Sequence, residues 1–236
     1  MTDTPQSPKT ALYEHLRLEI LSTRLAPGAD IDEARLSESF ALSRTPLREV
    51  LRQLAGEGYV SLRENRGARV SELSYGTLRD FFVAAPMIYG AILRLAALNA
   101  TAPQIDALTA AQDRFRATLR TGTGIDRALA NNRFHEITGE MAGNVYLLPS
   151  FRRLLIDHAR IGTTFFLPRS AEMAENLAEA SRQHDEIIAA IAARDETRAG
   201  DLAIAHWNLS RGQIETFVMP DAMDLPLGTM QRTSTA

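Results

Sequence analysis

Apolar residues in the first sixty positions recur at helical spacing in three short runs. Leu12, Leu16 and Ile20 fall every fourth residue between Thr10 and Ser22, with Leu18 and Leu21 beside them, and Ala26-Pro27-Gly28 breaks the run. Asp32 can cap a second, shorter helix that carries Leu36 and Phe40 on one side. After the turn at Ala41-Leu42, a third helix is predicted from Ser43 to about Glu57, with Leu47, Val50, Leu51 and Leu54 inward and Gly58 as its stop. The period then changes from about four to two. Tyr59–Arg63 and Ala68–Ser71 alternate apolar and polar residues around Glu64-Asn65-Arg66-Gly67, which predicts a β-hairpin.

Beyond Ser74 no further strand pattern occurs, and long Ala/Leu-rich stretches predict helices over 76–100, 103–120, 124–142, 147–167, 171–194 and 196–218. These stretches make an all-α helical bundle. Pro86 falls inside the first and is expected to kink or split it, because it lacks an amide and its ring meets the preceding turn. The chain thus divides into a lead (1–9), a compact helical module with a small hairpin (10–73), a helical bundle (76–219) and a flexible tail (220–236). The fold class is mainly α. No window reaches the roughly 18 consecutive apolar residues of a membrane span and no secretory signal opens the chain, so no membrane partner and a cytoplasmic location are expected.

The 236 residues contain no cysteine, which removes disulfides, thiolate metal sites and a cysteine nucleophile. A net charge of −3 argues against indiscriminate nucleic-acid binding, yet the charge is unevenly spread. Residues 1–42 hold four Lys/Arg against seven acids, whereas residues 43–71 hold six Arg against three Glu. Lys9 is the only lysine, so nearly every cation is a planar guanidinium suited to forked contacts with phosphate or guanine.

Ser43, Arg44, Thr45 and Arg48 occupy the first turns of the third helix, opposite its apolar face. A helix start bearing arginines and small hydroxyls fits a major groove, and its free amides add phosphate contacts. Spacing alone also accommodates a solvated stripe of Arg44, Arg48 and Arg52. The runs Leu25-Ala26-Pro27-Gly28, Arg35-Leu36-Ser37-Glu38, Leu42 to Leu54 and Glu57-Gly58-Tyr59-Val60 resemble the winged helix-turn-helix of GntR-type bacterial transcriptional regulators, over about residues 10–73. The resemblance implies a double-stranded DNA operator as partner, contacted through Arg35, Ser43, Arg44, Thr45 and Arg48, with Arg66 and Gly67 in the wing.

In the bundle, Asn131 and His135 stand four apart on one predicted helix, and His184 and His206 lie on the last two, which should be antiparallel neighbours. An oxygen donor and three imidazoles can hold Zn²⁺ or another divalent first-row ion, although spacing also permits ordinary hydrogen-bonded core histidines. Asn132-Arg133-Phe134-His135, Met141-Ala142-Gly143-Asn144 and His184-x-x-Ile187 through His206 resemble the C-terminal ligand-binding FCD domain of the FadR subfamily. That resemblance implies an antiparallel all-α bundle of six or seven helices, a homodimer, a small-molecule effector, often an organic acid, and a metal held by Asp and three His. His135, His184 and His206 match the histidines, and Asn131 stands where those members carry Asp.

A second departure concerns the effector. Carboxylate-sensing members carry Arg and Glu about where this chain reads Ala84-Ala85-Pro86-Met87-Ile88-Tyr89, so a more apolar pocket is expected. Arg94, Arg152 and Arg160 are read as surface or interdomain residues, His158 as an ordinary helix-face residue and Trp207 as core packing. The expected protein is not an enzyme. The competing readings are a metal-dependent hydrolase, which would need a base from Glu136, Asp185 or Glu186, and a DNA-binding dimer whose bundle takes no ligand.

Overall fold

The computed structural model describes residues 6–64, 66–167 and 171–218. The expected tail and the first five residues of the lead lie outside these. The N-terminal module contains α1 (Pro8–Leu21), α2 (Glu33–Ser39), α3 (Arg44–Glu57), β1 (Val60–Arg63) and β2 (Gly67–Val70). Ser7 caps α1 through Thr10 N–H, so the first helix starts two residues earlier than the apolar period suggests. Asp32 caps α2 and Gly58, at φ 92°, closes α3 in the left-handed region.

β1 and β2 pair antiparallel, with Val60 opposite Val70 and Leu62 opposite Ala68. The segment before α2 adds a third edge that alternation does not reveal. Ile31 N–H donates to Ala68 O, Gly28 N–H to Val70 O, and Val70 N–H to Ala29 O. Asp30 then accepts from Arg69 Nε at 2.8 Å, so Arg69 holds the hairpin in place. Leu12, Leu16 and Ile20 of α1 pack with Leu47, Leu51 and Leu54 of α3 and with Val60 and Val70 of the hairpin in one buried cluster.

The bundle contains α4 (Tyr75–Asn99), α5 (Ala102–Thr121), α6 (Gly124–Ala142), α7 (Leu147–Phe165), α8 (Ala171–Ala192) and α9 (Glu196–Val218). Capping boxes at Thr101/Gln104 and Thr123/Asp126 start α5 and α6. Asn144 Oδ1 accepts from the Tyr146 and Leu147 amides at the start of α7. Arg194, itself left-handed at φ 60°, donates to the carbonyls of Ala97, Leu98 and Ala100 and so closes the end of α4.

One expectation for α4, a split at Pro86, changes. The helix runs through Pro86 without a break. Phe81 and Ala85 before the proline, and Tyr89, Ile92 and Leu93 after it, are buried in one core, and this packing on both halves outweighs the lost backbone bond. By length and composition α4 is also apolar enough to cross a membrane, with a mean hydropathy of 1.8 over its best window. Its apolarity has a nearer cause: α4 is the central helix of the bundle and packs against α6, α7, α8 and α9.

The module rests on α6 and α7. Ile156 and Ala159 of α7 belong to the module's buried cluster, not to the bundle's. Arg153 donates through Nη1 to Gly58 O, and Arg160 donates through Nη2 to Ser71 O at 2.6 Å and through Nη1 to Asp157 Oδ1 at 3.0 Å. Arg160 is therefore an interdomain residue, as expected, and it is buried. Gly58 is where two needs meet, a left-handed cap and close approach: a Cβ there would stand 2.6 Å from Arg153 Cδ. Gly58→Ala should cost about 1–3 kcal/mol from left-handed strain and crowding. Chemical denaturation checks this, and a stability within error of the parent contradicts it.

Candidate functional site: a basic helix start and a buried imidazole triad

Arg35, Ser43, Arg44, Thr45, Arg48 and Arg66 are all exposed. Ser43 is the N-cap of α3 but makes no side-chain capping bond, and no acidic residue occupies the first turn. The helix therefore presents a free hydroxyl, unneutralised amides and two guanidinium groups to solvent, an arrangement that attracts phosphate. Between α3 and the hairpin runs a groove of about 630 Å³ lined by Arg48, Arg52, Arg63, Arg66 and Gly67. Arg48, Arg66 and Gly67 thus share one groove, whereas Arg35, Ser43, Arg44 and Thr45 do not line it. Arg63 was not among the expected contact residues; its place in the groove follows from hairpin register, opposite Gly67. Glu33 lies 3.8 Å from Arg48 Nε and close over Gly67, the one acid among the described residues of the groove lining.

The second site is inside the bundle. His135 of α6, His184 of α8 and His206 of α9 are buried, and one ring nitrogen from each lies within 4.8 Å of the others. Asn131 is buried one helical turn before His135, on the same face of α6.

The chain fixes the orientation of two of these rings. Gln112 Nε2 donates to Ser181 O at 2.7 Å, so its Oε1 is the atom facing His184 Nδ1 at 2.9 Å and must accept from it. Gln183 Nε2 donates to Glu179 Oε1 at 3.0 Å, and its Oε1 likewise accepts from His206 Nδ1 at 3.1 Å. Each imidazole therefore carries its proton on Nδ1 and its lone pair on Nε2. His135 Nε2 and His184 Nε2 have no hydrogen-bond partner and are sealed from solvent. Leaving such nitrogens unsatisfied costs about 1–3 kcal/mol each. A divalent first-row ion meets that need, and the donor set fits it: uncharged imidazoles oriented by outer hydrogen bonds.

Burial keeps the rings neutral. It holds His135 and His184 well below the usual imidazole range, with the neighbouring histidines adding to the effect, and brings His206 down to about 3. His158 is also buried, not an ordinary helix-face residue. Its ring centroid is 5.7 Å from that of His135, its Nδ1 pairs with Tyr89 Oη at 2.6 Å, and burial lowers it to about 4. Trp207 packs in the core with Phe81, Phe82 and Tyr89, as expected.

The three acids a hydrolase would call on are engaged elsewhere. Glu136 pairs with Arg17 and Arg133, Asp185 with Arg116, and Glu186 with Arg182 and Arg198. Arg94 pairs with Asp201 at 3.8 Å, and Arg152 lines a cleft between module and bundle.

A histidine held neutral by burial binds no proton in the folded chain at a pH where the unfolded chain does. Stability from these four rings is complete above about pH 6.5 and is lost as the pH falls, down to about 4 for His158 and about 3 for His206, by up to about 1.4 kcal/mol per ring per pH unit. Denaturation of metal-free protein at pH 7 and pH 5 checks this, and equal stability at the two contradicts it.

Both parts of the chain match known families. Residues 8–70 match the family described as bacterial regulatory proteins, gntR family, and residues 81–209 match the FCD domain. The HTH-type transcriptional repressor GlaR of Escherichia coli (strain K12) is 29% identical over 198 residues, covering 82% of this chain and 90% of GlaR. The probable D-xylose utilization operon transcriptional repressor of Paenarthrobacter nicotinovorans is 29% identical over 192 residues, 80% of each chain. Among solved structures, E. coli McbR/YncC superposes with a TM-score of 0.73 at 17% identity, over 90% of this chain and 99% of that one, which shows a shared fold. With an FCD match over more than half its length behind a gntR match, the chain belongs to the GntR family of bacterial transcriptional regulators and carries an FCD ligand-binding domain, consistent with the FadR subfamily.

Proposed function

We propose that this regulator binds an inverted-repeat operator in double-stranded DNA as a homodimer, through residues 10–73, and that a small molecule received in residues 76–219 modulates its affinity. The observation that carries the sensor half is the pair of sealed, unpartnered imidazole nitrogens, with the glutamines that aim His184 and His206. His135, His184 and His206 would hold Zn²⁺ or another first-row divalent ion, with Asn131 as an amide-oxygen ligand. Bound there, the ion supplies a Lewis-acidic positive charge and no turnover.

Four uncharged ligands leave that positive charge uncompensated. An organic acid whose carboxylate completes the coordination is the effector class this charge favours. Arg94, Arg152 and Arg160, engaged or placed elsewhere, do not compete for that role.

On the DNA side, Arg35, Ser43, Arg44, Thr45 and Arg48 would meet the major groove and its phosphates, with Arg66 and Gly67 at the wing. A homodimer is supported by an exposed apolar stripe on α4, Val83, Met87 and Leu98, with Ile204 of α9 beside it. A protein that acts on operator DNA in this way works in the cytoplasm. Elemental analysis of purified protein, paired with selection of bound sequences from a random DNA pool, tests both halves. One ion per chain and a palindromic consensus support the reading; no ion after supplementation with metal, or no consensus, overturns the corresponding half.

Two outcomes are expected of variants. Gln112→Leu should weaken metal affinity roughly 10–100-fold by freeing the His184 ring. Competition with a chromogenic chelator measures it, and an unchanged affinity contradicts the orienting role. Arg44→Ala or Arg48→Ala should lose about 1–3 kcal/mol of discrimination at one operator position. Binding to single-base operator variants reads this, and an unchanged preference at every position refutes the assignment.

A further inference from the structure

α6 carries two functional faces one residue out of step. His135 turns into the bundle, while Asn132 and Glu136, four apart, turn toward the DNA-binding module. The Glu136 carboxylate gathers three donors. Asn132 Nδ2 gives to Oε1 at 2.8 Å, Arg133 Nη1 to Oε2 at 3.2 Å, and Arg17 Nη2, crossing from α1, to Oε1. Arg17 is fixed on its own side by Tyr59 Oη, which accepts from Nε at 3.0 Å. Only backbone separates this ion pair from a triad imidazole.

The ion pair stands as a strut across a gap. On one side is a cleft of about 340 Å³ lined by Tyr13, Tyr59, Arg152 and others; on the other is one of about 260 Å³ lined by Leu18, Leu21, Leu129 and Arg133. Arg17 and Glu136 line both. The guanidinium therefore has room to re-aim if α6 turns or shifts. Asn132 Oδ1, buried beside it, has no hydrogen-bond partner, so a second arrangement of this network has an acceptor waiting.

On the module side, Leu16, next to Arg17, and Leu12 and Ile20 pack directly on Leu47, Leu51 and Leu54 of α3. A rigid α1–α3 unit pulled at Arg17 carries the start of α3 with it. The other crossing bonds, Arg153 to Gly58 O and Arg160 to Ser71 O, come from α7 and hold backbone at the ends of the hairpin. In the coupling inferred next, these bonds serve as the pivot and the strut sets the angle about it.

We infer that Glu136 is the positioning residue through which occupancy of the His135–His184–His206 triad is transmitted to the DNA-binding module, by way of Arg17. Glu136 touches neither the ion nor DNA; it sets where α1 and α3 stand. This inference rests on the reading of the triad as a metal site. It names a coupling between two binding equilibria, which must be reciprocal.

The test uses the full-length protein, Co²⁺ as the probe and an operator selected from a random pool. Visible absorption of Co²⁺ reports triad occupancy, and operator affinity is measured with and without Co²⁺. In the parent, the ratio of the two operator affinities should differ from one by roughly 5–150-fold, the usual span of allosteric coupling. Glu136→Gln and Arg17→Gln should keep the Co²⁺ spectrum and midpoint while the ratio collapses toward one, and the exchanged pair, Arg17→Glu with Glu136→Arg, should recover part of it. A Glu136→Gln protein with the parent's ratio, or a parent whose operator affinity ignores Co²⁺ seated in the triad, overturns the inference. Absence of any Co²⁺ spectrum in the parent overturns the metal reading instead, and the inference falls with it.

Discussion

Three uncharged imidazoles are buried together inside the bundle, and the hydrogen bonds around them follow from the cost of keeping them there. A charged histidine would not survive such burial, and a neutral one needs a partner for each nitrogen. Gln112 and Gln183 satisfy Nδ1 of His184 and His206, and each glutamine is itself tied by its amide nitrogen, to Ser181 and Glu179. What is left over is lone pairs. Gln112 and Gln183, both buried, aim nitrogens at an inner space, and the metal ion proposed above is the electron-pair acceptor that would use them.

The same helices serve a second constraint, since α6 and α7 are covered on both sides. α7 gives Phe151 and Leu155 to the bundle core and Ile156 and Ala159 to the module core, with Asp157 and Arg160 as a buried pair between them. Burial opposes charge on both partners, raising the Asp157 carboxyl and lowering the Arg160 guanidinium, so the pair relies on the Ser71 carbonyl, on Arg153 beside Asp157 and on each other. DNA-binding module and FCD domain are thus joined through polar bonds and a small apolar patch.

Much of this was legible in the sequence. Helix periods, the Asn/Gly turn and the glycine and Asp/Ser/Thr caps place nearly every element within two residues, because those signals act locally. The arginines at the start of α3 were legible because Leu47, Val50, Leu51 and Leu54 define the opposite face. The partners of the triad were not. Gln112 lies 72 residues from His184, and no local pattern distinguishes it from a surface glutamine. His158 was misread for the related reason that α7 is covered on two sides, so its polar residues do not mark a solvent face. Pro86 misled because a helix-breaking penalty of about 3 kcal/mol is set by the backbone, whereas the packing that offsets it comes from other helices. The third edge of the hairpin escaped because Gly28–Ile31 is too short and irregular to show alternation.

The central claim is that the triad is a coordination site and not a cluster of core histidines. X-ray absorption at the zinc edge, on protein reconstituted with one equivalent of Zn²⁺, addresses it directly. The account predicts imidazole scattering from three histidines with oxygen completing the shell, and loss of that signature in His184→Ala. A zinc shell dominated by oxygen, or one unchanged by His184→Ala, would contradict it.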